Sequence, residues 1–183
     1  MSQLIVPETL DVPGLGKMTR DQRFGWYMSN PLYVPILGRE GRFILDDDYL
    51  EESGKAEFDA AIKNFLGLTR SVLEDCSEPL FLYYKDNEVY WVEQGKKPLL
   101  ATAELWDHVT LGHEPAVSRR AYGDRAIYIS VECECGWELE HGLQLVFKDG
   151  LRINKLGSYD GHLTNSDAYG DPQLENVIYH SLT

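Results

Sequence analysis

The chain has 183 residues, of which 43% are hydrophobic and 26% charged. That is the make-up of a folded protein with one core or two closely packed ones, and it excludes overall disorder. A chain of this length buries roughly 70% of its unfolded surface, so it needs no covalent or metal staple. The formal charge of −13 repels phosphate backbones and anionic lipid, which sets nucleic acid and membrane surfaces aside as partners.

Most of that charge lies in two short stretches. Residues 46–59 carry Asp46, Asp47, Asp48, Glu51, Glu52, Glu57 and Asp59 against Lys55 alone; residues 132–141 carry Glu132, Glu134, Glu138 and Glu140 with no lysine or arginine. Such faces keep proteins soluble, and they also steer a basic protein partner toward them. No apolar run approaches the ~18 residues of a membrane span. The stretch Met1–Val12 has no basic region and carries Glu8 and Asp11, so it does not read as a signal peptide. Cys76, Cys133 and Cys135 are an odd set, which points to reduced thiols and a cytoplasmic location.

The sequence contains no repeat and no long linker. The first 45 residues are dense in Gly, Pro and aromatics, and short strands are expected near 16–20, 23–28, 32–37 and 42–46. Gly38-Arg39-Glu40-Gly41 is the expected hairpin turn, and Pro31 and Pro35 suit an edge strand. Phe58, Ile62, Phe65, Leu66, Thr69, Val72, Leu73 and Cys76 then recur with a 3.6-residue period, which predicts one helix with Ser53 as its N-cap. Gly67 lies off that stripe. Residues 78–94 read either as a helix with Pro79 in its first turn or as a hairpin about Asp86-Asn87, the helix being favoured. A short helical turn over 102–109 and an extended run over 115–120 follow.

Residues 126–136 give the strongest local signal. Ile127, Ile129, Val131, Cys133, Cys135 and Trp137 alternate with Tyr128, Ser130, Glu132 and Glu134, as on a strand with one apolar and one polar face. Cys133-Glu134-Cys135 therefore reads as two core thiols ahead of a metal or redox pair, the more so because no second knuckle completes four ligands. Strands over 142–148 and 150–156 complete a meander. A three-residue loop with Gly150 left-handed, pairing Phe147 with Leu151 and Leu145 with Ile153, keeps one face apolar. The fold class expected is α+β: N-terminal short strands and a C-terminal meander, both antiparallel, packed with one or two central helices. The organisation expected is one compact unit, β-rich over 1–50, helical over 51–100 and a β-module over 101–183.

The loop after the meander is rich in reactive groups. Asp160, His162, Asn165 and Asp167 could gather with Glu138, Glu140 and His141 as a binding or acid–base site. The simpler reading is that Asp160-Gly161 makes a turn and that Thr164, Asn165 or Asp167 caps a short helix. A calcium loop starting at Asn165 fails, because Asn176 stands where a carboxylate is required. No phosphate loop, nucleophile elbow or zinc-protease motif is present, and neither metal nor cofactor is expected.

The stretch from Trp106-Asp107-His108-Val109 through Ser118-Arg119-Arg120 and Val131-Glu132-Cys133-Glu134-Cys135, then Trp137–Phe147 and Asp160–Tyr169, resembles an uncharacterised bacterial domain family. The resemblance covers roughly the last 80 residues and implies a bacterial, cytoplasmic protein with a sheet-rich C-terminal domain. It brings no catalytic residues with it. By analogy with small acidic immunity proteins, the expected function is non-enzymatic binding of a basic protein, such as a toxin, through a surface that includes Asp46, Asp47, Asp48, Glu51 and Glu52. The alternative is a hydrolase, metal-dependent or acid–base, built on the 138–141 and 160–167 cluster.

Overall fold

The computed structural model describes residues 6–51 and 53–181. The chain opens with the hairpin of β1 (Thr9–Val12) and β2 (Gly16–Arg20), followed by β3 (Tyr27–Ser29). β4 (Leu32–Val34) and β5 (Arg39–Gly41) form a separate two-stranded ribbon, and β6 (Ile44–Leu45) returns to the main sheet. A 3₁₀ turn over Asp47–Leu50 leads to α1 (Lys55–Leu66), α2 (Ser71–Glu74) and α3 (Ser77–Glu93). A second 3₁₀ segment, Thr102–His108, precedes β7 (Val109–Thr110) and β8 (Ala116–Arg119). The meander is β9 (Ile127–Cys135), β10 (Glu138–Lys148) and β11 (Arg152–Gly157), and α4 (Asn165–Tyr169) follows it.

The expected α+β class is borne out, with one refinement. The N-terminal strands and the meander are not two sheets but one, in the order β1-β2-β3-β6-β8-β9-β10-β11, with β7 also on β9. The join is the parallel pair of β6 and β8, where Ile44 sits beside Ala116 and Leu45 beside Val117; every other pairing is antiparallel.

Register sorts the side chains into two faces. Leu45, Val117, Ile129, Phe147 and Ile153 are neighbours on one face, with Val131, Leu145 and Leu156 in the next row. The helices cover that face. Phe65 of α1 meets Phe43 and Phe147 edge-on at 5.9 and 5.1 Å, and Tyr84 of α3 meets Trp137 at 5.6 Å. Each such ring, fully buried, contributes roughly 1.5–3 kcal/mol by leaving water. The opposite face carries Ile44, Ala116, Ser130, Val146 and Lys155 in one row, and Glu132 and Gln144 in the next.

Several expectations are corrected. The predicted long helix breaks at Gly67, whose N–H bonds the carbonyls of Lys63 and Asn64; Thr69 is exposed, and the stripe resumes at Leu73 and Cys76 on separate turns. Glycine ends the helix because its backbone entropy outweighs the continuing apolar pattern. The N-cap is Gly54, with no side-chain bond, and not Ser53. The turn placed at 38–41 lies at Pro35–Gly38, where Leu37 and Gly38 donate to the Val34 carbonyl, and Arg39–Gly41 is strand. Of 23–28 only the end is extended, because the Asp21 carboxylate accepts from the N–H groups of Arg23 and Phe24 and makes a turn. Residues 78–94 are helical throughout Ser77–Glu93, which rules out the hairpin.

In the meander the three-residue loop is 149–151, one place later than expected. Lys148 pairs with Arg152 and Phe147 with Ile153, and a bulge then pairs Val146 with Lys155 and Leu145 with Leu156. The bulge restores the apolar face that the shift would have lost. Gly150 has the expected left-handed backbone, φ 65°. A β-carbon there would stand 2.0 Å from the Ala61 carbonyl of α1, so the loop tip needs glycine twice over.

Candidate functional site

The opposite sheet face is hollow only in part, where its side chains are small; Tyr128, Gln144, Val146 and Lys155 on it are buried. Ala116, Ser118 and Ser130 floor a groove of about 1110 Å³. Trp26, Arg39, the 138–142 turn, Tyr159 and Leu163 also line it. Asp46, Glu114, Glu132, Glu134, Glu138 and Glu140 line it, against Arg39 and three histidines. Asp46, from the first acidic stretch, thus shares one concavity with Glu132, Glu134, Glu138 and Glu140 of the second.

Their carboxylates are not equivalent. Glu132, Glu134 and Glu140 are exposed. Glu138 is tied down: its Oε1 accepts from the N–H groups of Glu140 and His141 at 2.8 and 3.2 Å, and its Oε2 lies 3.4 Å from His141 Nδ1. Partial burial opposes its charge, yet those donors hold it below the usual carboxylate range. Asp46 goes the other way. Burial, and then the neighbouring Asp48, push it up to about 6, although its Oδ1 accepts from the Asp48 N–H at 3.2 Å. Asp47 is already paired with Arg20 at 2.8 and 3.2 Å, Asp48 and Glu51 are exposed, and Glu52 lies outside the described residues. Of the expected 46–52 surface, Asp46 alone lines the groove.

Beneath the groove a polar ladder crosses three strands. Gln144 Nε2 donates to Ser130 Oγ at 2.9 Å, Lys155 Nζ donates to Gln144 Oε1 at 2.9 Å, and the same Nζ donates to Asp160 Oδ1 at 2.7 Å. Lys155 is 1% exposed. Burial lowers its pKa, and Asp160 opposes that shift. Asp160 Oδ1 also accepts from the His162 N–H at 2.8 Å, so the expected Asp160-Gly161 turn is present with the carboxylate serving it.

The seven residues expected to gather as one polar site are placed in three different settings. Glu138, Glu140 and His141 form the groove-lining turn. Asp160 and His162 belong to the Lys155 ladder, with His162 Nδ1 3.5 Å from Asp160 and not among the residues lining the groove. Asn165 is 4% exposed and donates to the carbonyls of Val177 and Ile178, while Asp167 pairs with Arg120. Thr164 caps α4 by accepting from the Asp167 N–H at 3.0 Å, as the simpler reading had it. Among the described residues no three His, Cys, Asp or Glu side chains are grouped to hold a metal ion.

Cys133 and Cys135 face the core with Cys76, all three as free thiols. Burial raises Cys133 to about 12, Cys135 to about 11 and Cys76 to about 11, which is the behaviour of inert core cysteines. Sequence reasoning missed Arg120, Gln144, Lys155 and Trp26. The alternation along β10 carried a signal for Gln144, which falls opposite Leu143, Leu145 and Phe147, whereas strict alternation puts Lys155 on the face of Leu151 and Ile153, and the bulge alone turns it to the other face. Arg120 was hidden because Asp167 and Glu175, the carboxylates it binds with two hydrogen bonds each, are 47 and 55 residues away.

An α+β chain with an acidic groove on one face of its sheet is the class these observations define. The chain belongs to the family described as Domain of unknown function (DUF6985), whose model matches residues 14–163. That match takes in the N-terminal strands as well as the meander, so the likeness is not confined to the last 80 residues, and it ends before α4. No curated protein and no solved structure matches the chain. No helix among the described residues is long and apolar enough to cross a membrane.

Proposed function

We propose that this is a non-enzymatic bacterial protein of the cytoplasm that binds a basic protein partner through the acidic groove, in the manner of an immunity protein that neutralises a toxin. The observation that carries the reading is the convergence of Asp46 with Glu132, Glu134 and Glu140 in one hollow where Arg39 is the single lysine or arginine. A concave wall of one charge sign focuses the field and speeds encounter with a partner of the opposite sign. Partners rich in phosphate are disfavoured by the same field. The three buried, protonated thiols suit a reducing compartment.

The test is a comparison of the full chain with its Glu132→Gln, Glu134→Gln, Glu140→Gln variant as bait in extract from the source organism. These carboxylates are exposed, so the variant keeps the fold. The proposal expects a basic protein held one-to-one by the native chain and released by the variant. A partner held equally by both, or an acidic partner, overturns it.

A further inference from the structure

Three of the chain's five histidines, His108, His113 and His141, line the acidic groove. Each is exposed, and each comes from a different piece of backbone: the end of the second 3₁₀ segment, the loop between β7 and β8, and β10. The fold gathers them; their spacing in sequence does not. Imidazoles ordinarily take up a proton between pH 8 and 5, a range in which ordinary carboxylates and amines largely keep their charge.

The groups around them are carboxylates for the most part. His141 Nδ1 lies 3.4 Å from Glu138 Oε2, and the Tyr159 N–H bonds the His141 carbonyl at 3.2 Å. Asp160 and His162, on the loop behind Tyr159, are taken up with Lys155 and with each other. His113 Nε2 lies 4.0 Å from Glu114 Oε1, and the Arg42 N–H bonds the His113 carbonyl at 2.8 Å. The His108 ring packs edge-on against Trp91 of α3 at 4.8 Å, an indole that also carries Lys96 at 4.0 Å; two residues on, Thr110 pairs with Glu134. The fourth titrating group is Asp46, which burial and Asp48 push up to about 6, with Asp47 adding to the rise and Arg119 of β8 opposing it. Arg119 is itself paired with Glu57. Six carboxylates against Arg39 give the lining five net negative charges; three imidazoliums and a neutral Asp46 would leave one.

We propose that the groove is proton-gated: acidification from pH 7.5 to 5.5 removes most of its net negative charge and releases a basic partner. The inference rests on the groove being the binding surface, and adds the condition under which that surface lets go. By linkage the gate also runs in reverse. A cation seated in the groove favours neutral imidazoles and an ionised Asp46, so binding expels protons.

The probe is a rhodamine-labelled octalysine peptide, whose ammonium groups stay charged throughout this range. Its affinity is read by fluorescence anisotropy at pH 7.5 and 5.5 for the full chain, for the His108→Gln, His113→Gln, His141→Gln variant and for the Glu132→Gln, Glu134→Gln, Glu140→Gln variant. At the modest strength of exposed charge pairs, the native chain should bind about tenfold more weakly at pH 5.5 than at 7.5, and the histidine variant only about threefold more weakly. Calorimetry in two buffers of different ionisation heat, at a pH of about 6.5, should show protons released by the native chain on binding and fewer by the histidine variant. A flat native profile, or the same decline in native chain and histidine variant, overturns the gate and leaves the groove standing as the binding surface. A peptide held equally well at pH 7.5 by the native chain and the glutamate variant refutes the groove itself, and the gate with it.

Discussion

Replacing Asp46 with asparagine should stabilise the fold at neutral pH by an amount that disappears in acid. Burial and the Asp48 carboxylate raise Asp46 from 3.8 to about 6 in the folded chain, with Asp47 adding to the rise and the Asp48 N–H and Arg119 opposing it. Well below pH 3.8 the carboxyl is protonated in both folded and unfolded chains and contributes nothing. As pH climbs through 3.8, the unfolded chain ionises first, so stability falls until the folded group ionises near 6, and the penalty is then constant. A difference of about two pH units corresponds to at most about 3 kcal/mol. Asparagine keeps an oxygen for the Asp48 N–H, so the cap survives. For a chain of this size the gain is a rise in Tm of at most about 6–12 °C at pH 7.5 and about 1 °C or less at pH 3.5. Thermal unfolding of both proteins at pH 3.5, 5 and 7.5 measures it. A gain that is the same at every pH, or a loss at pH 7.5, refutes the assignment of Asp46 as a carboxylate held against its charge.

Two other substitution and reactivity experiments check the packing around the groove and the core. Gly112→Ala should cost about 3 kcal/mol in urea denaturation, because a β-carbon at 112 would stand 1.8 Å from the Glu132 carbonyl; a midpoint within experimental error of the native chain would mean that the loop after β7 does not lie so close. The thiols of Cys76, Cys133 and Cys135 should resist a disulfide reagent at pH 8 and react only as fast as the chain unfolds, since burial holds all three well above that pH. Prompt reaction of one thiol would place it at the surface.

The parts of the fold that could be read from sequence are those where one period dominates. Ile127–Cys135 alternates so strictly that its strand, its faces and the fate of both cysteines followed directly. α3 could not be separated from a hairpin because its apolar residues spread around the helix: Leu82, Val89 and Tyr90 are exposed while Leu80, Tyr84 and Trp91 are buried. The join between the two halves of the sheet was invisible, because β6 is two residues long and its partner β8 is 72 positions away. For the site, the charge pattern identified the acidic stretches, and tertiary structure alone shows that Asp46 and Glu132 share a wall. The polar loop misled because Asp160, Asn165 and Asp167 spend their hydrogen bonds on Lys155, on backbone and on Arg120, the common fate of polar groups beside a core.

The claim that the groove is the working surface is tested most directly by association kinetics with the captured partner at several salt concentrations. The account predicts an on-rate that falls steeply with salt for the native chain, and about tenfold slower association with a flatter salt dependence for the Glu132→Gln, Glu134→Gln, Glu140→Gln variant. An on-rate that ignores both salt and these three carboxylates would contradict it.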